Sequence, residues 1–501
     1  MTSADDSVGG TITRTYDGLN GITGETTPQG GIAYGYDAAE RLISAEAEGG
    51  TEIQYSYDNA NRLISIVQGA AQVAFSYDNA SRRTALTLPN GVTAQYGYDQ
   101  DSRMDSIAYA GGSTSIGNLT YSFDANGNRV ETGGTLAATN LPEALSAATY
   151  DADNELTSWG GIAPAYNADG ETTTGVLGNQ YTWNGRHQLV AMAGANIASF
   201  GYDAFGRRVT STVGAETTTY QYEGLDPITE TTNGSVASLL PGGVDVYYQR
   251  TDSTGESSPL TDALDSVIGM TNSSGALATT YWYSPYGITT VSGAASGNDA
   301  EFTGQENDGT GLYYFRARYY NPDIARFISP DPMGLQSGLN EYAYAGDSPV
   351  SYIDPMGMDR GYGGFGGGPG GPGNPYGPGG PFGPGGPGGP GGGSGGNGGG
   401  SGGNGGSGGA GGNGLGGSSP SSPASCASDW LEFGMGSAVT LGEAGLAVAF
   451  WPEISLTLGD YIAEDGVIGF ADAGHGIGTA LAAPVLVAAQ GLSGTITDGC
   501  W

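Results

Sequence analysis

The chain has 501 residues, of which 51 are acidic and 15 are basic, so its formal net charge is −36. A surface this anionic repels nucleic acid and anionic lipid, which argues against a role in binding DNA or RNA. We interpret the acidity as a solubility feature in a saline or extracellular setting.

An aromatic–acidic dipeptide recurs through the first half of the chain. Tyr16-Asp17, Tyr36-Asp37, Tyr57-Asp58, Tyr77-Asp78 and Tyr98-Asp99 follow one another at steps of 20 or 21 residues, and less regular copies continue to Tyr222-Glu223. The best copies carry an arginine five residues after the aromatic: Arg41, Arg62, Arg82, Arg103 and Arg207. A fixed period of this length predicts a repeat architecture, in which each unit buries its apolar face against its neighbours.

Each repeat predicts a strand, a turn and a second strand. Ile32, Tyr34 and Tyr36 alternate with small residues, a period of two that places one apolar face on the strand. Asp, Asn, Gly and Ala follow, and Asx side chains bond nearby backbone amides in turns. The arginine then comes where it could reach back to the turn Asp and fix the strand register. Helix signals are nearly absent before residue 420, so the fold class is all-β.

The composition changes sharply towards the C-terminus. Strand character continues to residue 300, and residues 301–358 are dense in aromatics, arginines and Asp-Pro pairs. Gly, Pro, Ser and Asn then dominate a stretch that cannot bury enough apolar surface to order itself, which predicts a disordered linker. We therefore divide the chain into a repeat region, its continuation with the aromatic segment, the linker and a small C-terminal segment: 1–235, 236–358, 359–423 and 424–501.

Cysteine and histidine usage gives few candidate ligands. The two cysteines, Cys426 and Cys500, could pair in an oxidising compartment and are otherwise free thiols. The histidines are His187 and His475, so we expect no metal site and no cofactor. The N-terminus shows no signal peptide, because it lacks a basic region and an apolar run.

The stretch from 308 to 357 is the most informative part of the sequence. It contains Tyr-Tyr-Phe-Arg-Ala before Arg318, and two copies of Asp-Pro-Met-Gly that begin at Asp331 and Asp354. With the repeats before it, this stretch resembles the YD-repeat family, also called rearrangement-hotspot (Rhs) proteins, and specifically its repeat-associated core domain. The resemblance covers about 11–235 and 300–358 and does not extend to the linker or the C-terminal segment.

The resemblance implies both an architecture and an activity. In this family the repeats wind into a hollow β-hairpin shell, a partial cocoon or barrel, and the core domain closes one end. The best-understood members are C subunits of insecticidal toxin complexes and bacterial Rhs effectors, which hold a C-terminal toxin and cut themselves just after the second Asp-Pro-x-Gly motif. Carried over, this implies Asp331, Asp354 and Arg318 as catalytic residues and a single-turnover cut between Met358 and Asp359.

The implied chemistry is reasonable on physical grounds. Two carboxylates held together cannot both ionise cheaply, so one can act as an acid while its partner deprotonates a water or orients the amide. Arg318 could bias which carboxyl keeps the proton. The chain departs from the family at Asn321, where Asp is common, and at Met358, where Leu is common. One Asp-Pro-x-Gly motif alone would be an ordinary turn.

Three interpretations of function stay open from the sequence. The leading one is a shell that encloses residues 359–501 as a toxin and releases them by self-cleavage. The alternatives are a wall-associated or cell-surface adhesion scaffold without catalysis, and an inactive remnant. About eleven repeats form a short wall, so we expect a shell-closing or delivery partner, or further repeats, and a cognate immunity protein. We expect a secreted or surface-located bacterial protein, whose apolar C-terminal segment could contact membranes.

Overall fold

The structure, a computed structural model, describes residues 1–358 apart from 139, 143 and 146, together with five short strands further along the chain. Over these residues it contains β-strands and three short 3-10 turns, at Phe302–Gly304, Gly334–Gln336 and Ala345–Asp347, and no α-helix. The all-β prediction is therefore confirmed. Within the same residues no helix is long and apolar enough to cross a membrane.

The first sheet is an antiparallel meander of thirteen strands in chain order. Its strands are β1 (Ser3–Asp6), β2 (Gly10–Tyr16), β3 (Ile22–Thr27), β4 (Gly30–Tyr36), β5 (Leu42–Ala47), β6 (Ile53–Tyr57), β7 (Leu63–Gln68), β8 (Ala71–Tyr77), β9 (Arg83–Thr87), β10 (Val92–Tyr98), β11 (Met104–Gly111), β12 (Thr114–Phe123) and β13 (Arg129–Gly133). The sheet ends in the free edges of β1 and β13, so it does not close on itself.

A hairpin of β14 (Ala148–Tyr150) and β15 (Leu156–Trp159) leads to a second antiparallel meander of fourteen strands. These are β16 (Ala165–Tyr166), β17 (Thr172–Thr174), β18 (Gln180–Trp183), β19 (Leu189–Ala193), β20 (Ala198–Tyr202), β21 (Arg208–Val213), β22 (Glu216–Glu223), β23 (Asp226–Thr232), β24 (Ser235–Gly243), β25 (Val246–Asp252), β26 (Gly255–Thr261), β27 (Val267–Asn272), β28 (Leu277–Tyr283) and β29 (Thr289–Gly293). The sheet passes through residue 235 without interruption, because β24 pairs with both of its neighbours.

The segment after the second sheet folds into small sheets. Four strands form one of them: β30 (Glu306–Asn307), β31 (Tyr313–Phe315), β32 (Arg318–Asn321) and β33 (Arg326–Phe327). The pair β34 (Tyr352–Ile353) and β35 (Gly361–Tyr362) follows.

The chain divides into two compact units, Met1–Gly398 and Gly399–Trp501. In the second unit the structure describes β36 (Trp430–Glu432), β37 (Ala438–Leu441), β38 (Leu446–Ala449) and β39 (Thr457–Gly459). Asp359, Cys426 and Cys500 lie outside the described residues, as does the predicted linker apart from β35.

The repeat turns share one hydrogen-bonded arrangement, illustrated by Asp58. Its Oδ1 accepts the N–H of Ala60 at 2.8 Å and of Arg62 at 2.9 Å, and its Oδ2 accepts Nε of Arg62 at 2.7 Å. Arg62 also donates to the carbonyl of Asp78 in the next turn at 2.9 Å and lies over the Tyr77 ring at 4.9 Å. The predicted Arg–Asp pairing is present in all five copies named above. Each arginine therefore joins two successive repeats.

The two large sheets pack against each other through their inner faces. Phe75 on the first sheet meets Tyr248 on the second edge to face, with ring centroids 5.6 Å apart. Tyr55 donates to the carboxylate of Glu223 at 3.0 Å, and Tyr109 donates to a backbone carbonyl of β26 at 2.6 Å. Side chains from both sheets thus form a common core, and the hydroxyls of Tyr55 and Tyr109 find their partners across it.

Candidate active site

A packed aromatic cluster supports the residues that the sequence singled out. Phe315, Tyr320, Phe327 and Tyr344 are fully buried, and their ring centroids lie between 4.7 and 6.0 Å apart. Such rings bury large areas and restrict one another to a few orientations. The short strands on this cluster therefore hold the side chains at their ends in fixed positions. Arg318 starts β32.

The structure brings Arg318, Asp331 and Asp354 together. Nη2 of Arg318 lies 2.7 Å from Oδ2 of Asp331 and 3.0 Å from Oδ2 of Asp354, so one guanidinium nitrogen contacts both carboxylates. The three side chains are only 2 to 3% exposed. Burial lowers the pKa of the Arg318 guanidinium, while the two carboxylates act in the opposite direction. Water is therefore largely excluded where the three charges meet, which strengthens their interaction.

The remaining oxygen of each carboxylate accepts a backbone amide. Oδ1 of Asp331 accepts the N–H of Met333 at 2.8 Å, and Oδ1 of Asp354 accepts the N–H of Met358 at 3.0 Å. Met358 is the residue before the scissile bond that the family resemblance implies. Asp354 is therefore bonded directly to the backbone next to that bond, whose other residue, Asp359, is not described.

The second Asp-Pro-Met-Gly turn is fixed to the core by close backbone contact. Gly357 has a φ of 63°, and a Cβ at this position would lie 2.4 Å from the carbonyl oxygen of Phe315. Nε of Arg318 donates to the carbonyl of Gly357, and Nη1 donates to the carbonyl of Glu341 at 2.8 Å. Only glycine fits here, because any side chain would displace the turn from Arg318.

Arg316 is a site residue that the sequence did not indicate. Its Nη1 donates to the carbonyl of Pro355 at 2.6 Å and lies 2.7 Å from Oδ1 of Asp245, which precedes β25. Burial raises the pKa of Asp245 to about 7, and Arg316 opposes that rise. The arginine thus joins the second turn to the second sheet. Arg316 lies two residues before Arg318 in the sequence, but no motif or spacing there indicates its contact with Asp245.

A cavity of about 620 Å³ lies beside these residues. Asp331, Met356 and Met358 line it from the core, and Tyr222 and Leu239 line it from the second sheet. Cavities of this volume hold small molecules or short peptide segments, and a folded domain is far larger.

One group of residues in the described part of the chain has donor atoms close enough to hold a metal ion. It consists of Asp169, Glu171 and His187, and its three members also line the cavity. The group lies on repeat turns of the second sheet, whereas Asp331 and Asp354 follow strands of the core.

A family comparison decides what kind of protein this architecture belongs to. The Teneurin YD-shell family model matches residues 11–116 and 92–350. The chain belongs to the YD-shell family. The sequence-based assignment to YD-repeat proteins is thereby confirmed, and the repeat turns and core described above are those of a YD-shell.

Curated relatives of this YD-shell include several toxins. It is 27% identical over 257 residues to Double-stranded DNA deaminase toxin A of Burkholderia cenocepacia, which covers 42% of this chain and 18% of the relative. It is 28% identical over 258 residues to tRNA nuclease WapA of Bacillus subtilis, covering 48% and 11%. Toxin subunit YenC2 of Yersinia entomophaga is 42% identical over 81 residues, covering 15% and 8%. The chain therefore spans less than a fifth of these relatives' length.

A search of solved structures matches the TcdB2-TccC3-Cdc42 complex. The match covers 69% of this chain and 19% of that chain, with 19% sequence identity and a TM-score of 0.36. The sequence and family comparisons together identify a YD-shell of the kind found in Rhs-type toxins.

Proposed function

We propose that this YD-shell cuts its own backbone between Met358 and Asp359 and so releases residues 359–501. The observation that carries the proposal is the pair of buried carboxylates, Asp331 and Asp354, that share one nitrogen of Arg318. A second support is the bond from the N–H of Met358 to Asp354, which ties the dyad to the backbone beside the scissile bond.

The proposed reaction is hydrolysis of one peptide bond. One carboxylate of the dyad removes a proton from a water, whose oxygen attacks the carbonyl carbon of Met358. The other carboxyl gives a proton to the nitrogen of Asp359 as the C–N bond breaks, so the products are a new C-terminal carboxyl group and a new N-terminal amine. The dyad of aspartic proteases divides the two proton transfers in the same way.

Arg318 would position the dyad and balance its charge. Its guanidinium lies over the Phe327 ring, with Cζ 3.6 Å from the ring centroid, and its Nε and Nη1 are bonded to backbone carbonyls. These contacts leave Nη2 for the two carboxylates. Because the fold supplies the scissile bond at high effective concentration, a single turnover needs no separate substrate pocket.

In this proposal the released segment is the cargo of a toxin. The toxin names of the relatives support this interpretation, since two of them are described as acting on DNA or tRNA. Both large sheets end in free edges, and the cavity of about 620 Å³ is too small for a folded domain. Enclosure of the cargo would therefore require further repeats or a delivery partner. An immunity protein, and secretion of the assembly, belong to the same proposal.

Intact-mass measurement of the purified chain tests the proposal. We expect two products, ending at Met358 and beginning at Asp359, and we expect Asp331→Asn and Asp354→Asn to leave the chain uncut. Asp347→Asn is the matched control, because Asp347 is an exposed aspartate of the same segment with a φ of 59°, a conformation that Asn tolerates.

Folding of each variant is checked by its thermal unfolding transition. The proposal fails if the wild-type chain stays intact, or if both dyad variants fold and are still cut at the same bond. Cleavage at another bond would also exclude the geometry described above. An uncut but folded wild-type chain would favour the adhesion scaffold.

A further inference from the structure

Two successive turns of the second sheet depart from the repeat pattern. Asn167 and Glu171 stand where the best copies have Asp and Arg, so a carboxylate replaces a guanidinium. Oε1 of Glu171 lies 2.9 Å from Nδ1 of His187 in the next turn. Arg62 reaches Ser81 in the same forward direction, with 3.4 Å between Nη1 and Oγ. Glu171 and His187 thus make the contact between successive turns that Arg62 and Ser81 make in the regular repeats.

Glu171 is buried without an arginine to neutralise it. The residue is 2% exposed, and within the described residues its carboxylate contacts His187 and the side-chain amide of Asn167. Arg186 lies next to His187 in the sequence, yet its guanidinium pairs with Asp6. Burying a carboxylate is costly unless a cation or strong hydrogen bonds compensate it, so this position favours an additional positive charge.

The cavity beside Glu171 independently favours cations. Eight carboxylate side chains line it, against three arginines and one histidine. Burial raises the pKa of Glu230 to about 8 and that of Glu306 to about 7, although each is paired with an arginine, so a bound cation would favour the ionised form of both groups. The acidic side chains of the cleft that stay ionised attract counter-ions.

We propose that Asp169, Glu171 and His187 bind a divalent transition-metal ion, with zinc as the best match. One donor atom from each residue lies within 4.8 Å of the others. One imidazole nitrogen with two carboxylate oxygens is a zinc-type donor set, whereas calcium and magnesium prefer oxygen alone. Zinc would replace the contact between Glu171 and His187 and move those two atoms apart by about 0.5 Å, leaving a fourth position towards the cavity.

The metal would join two successive repeat turns, the first of which is already bonded to the core. The N–H of Thr172 donates to the carbonyl of Ile328 at 2.9 Å, and the hydroxyl of Tyr342 donates to the carbonyl of Gly170 at 2.7 Å. The turn that carries Asp169 and Glu171 is therefore bonded to the segment that leads to Asp331. The metal site does not depend on self-cleavage, and its test uses a different measurement.

Zinc titration of the untagged full chain tests the site. Cys426→Ser and Cys500→Ser are introduced first, because thiolates bind zinc themselves. After removal of metal with a chelator, Zn²⁺ is titrated in competition with a chromophoric indicator. We expect one tight equivalent, and at least tenfold weaker binding in His187→Ala and in Asp169→Asn. His475→Ala is the matched control, since it removes the other histidine of the chain.

A thermal unfolding series complements the titration. Zinc should raise the transition temperature of the parent and of His475→Ala, but not that of His187→Ala, and calcium at the same concentration should have no effect. The site is excluded if the folded parent binds no zinc, or if His187→Ala binds it with the parent's stoichiometry and affinity. An equal response to calcium would exclude the role assigned to the imidazole.

Discussion

The two Asp-Pro-Met-Gly turns have the same sequence but should respond differently to the same substitution. Gly334 and Gly357 both have a left-handed backbone, with φ of 58° and 63°. A Cβ on Gly334 would meet only the flexible end of the Glu341 side chain, at 4.0 Å. A Cβ on Gly357 would lie 2.4 Å from the backbone oxygen of Phe315, so the turn must move. Alanine therefore tests whether the second turn needs its close contact.

The expected loss in free energy of unfolding has two contributions, one from the left-handed backbone and one from the steric contact. Alanine in the left-handed region costs about 1 to 2 kcal/mol, which both variants share. Forcing a methyl group into a packed backbone contact adds about 1 to 3 kcal/mol, which applies to Gly357→Ala alone. Gly357→Ala should also slow self-cleavage by about a hundredfold, because a shift of about 1 Å in reacting groups has that effect.

Urea unfolding and intact mass provide the assay. Stability is measured in an Asp331→Asn background, so that both alanine variants are compared as uncut chains, and cleavage is measured without that substitution. Equal unfolding midpoints for Gly334→Ala and Gly357→Ala would refute the reasoning about the Phe315 contact. Cleavage of Gly357→Ala at the wild-type rate would show that the position of this turn does not limit the reaction.

Two further predictions concern charges in the shell. Burial raises the pKa of Glu223 from 4.5 to about 7, so its contribution to stability is complete below about pH 4.5 and is lost as the pH rises through 7. Between pH 4 and pH 8, the free energy of unfolding of Glu223→Gln, measured with urea, should therefore rise by about 3 kcal/mol relative to that of the wild type. The free energy of unfolding of Arg207→Met should fall by about 3 to 5 kcal/mol in the same assay, because buried Asp203 loses its arginine and buried Glu25 keeps only its pair with Arg14. The free energy of unfolding of Arg62→Met should fall by only about 1 kcal/mol, since the ion pair of Arg62 with Asp58 is partly exposed.

Each of these predictions has a contradicting outcome. A constant difference between Glu223→Gln and the wild type at both pH values would mean that this carboxyl does not carry the pH dependence. Similar losses for Arg207→Met and Arg62→Met would mean that burial of the ion pair is not what distinguishes the two repeats.

The sequence predicted the features that depend on nearby residues. Strand alternation, the Asx turn and the pairing of Arg62 with Asp58 all lie within a few positions, so the repeat pattern contains them. The candidate dyad came from motif resemblance, because nothing local relates Asp331 to Asp354.

Contacts across the two sheets were not predictable in this way. Tyr55 and Glu223 are 168 residues apart, and their hydrogen bond depends on which strands of the second sheet face β6. Arg316 meets Asp245 for the same reason. The sequence does not indicate the contact of His187, because its partner carboxylate belongs to the preceding turn. That carboxylate, Glu171, stands at a position where other repeats have arginine.

The forward contact of each turn arginine bears on how such a sheet can change in length. Because Arg41, Arg62 and Arg82 each bond to the turn one repeat ahead, a unit duplicated in tandem would find matching partners on both sides. Growth by whole units would thus require no new kind of side-chain contact between the turns. At the turn of Asp124 an asparagine, Asn128, takes the arginine position and bonds only within its own turn in the contacts described. The first sheet ends one strand later, so this replacement lies next to the C-terminal edge of that sheet.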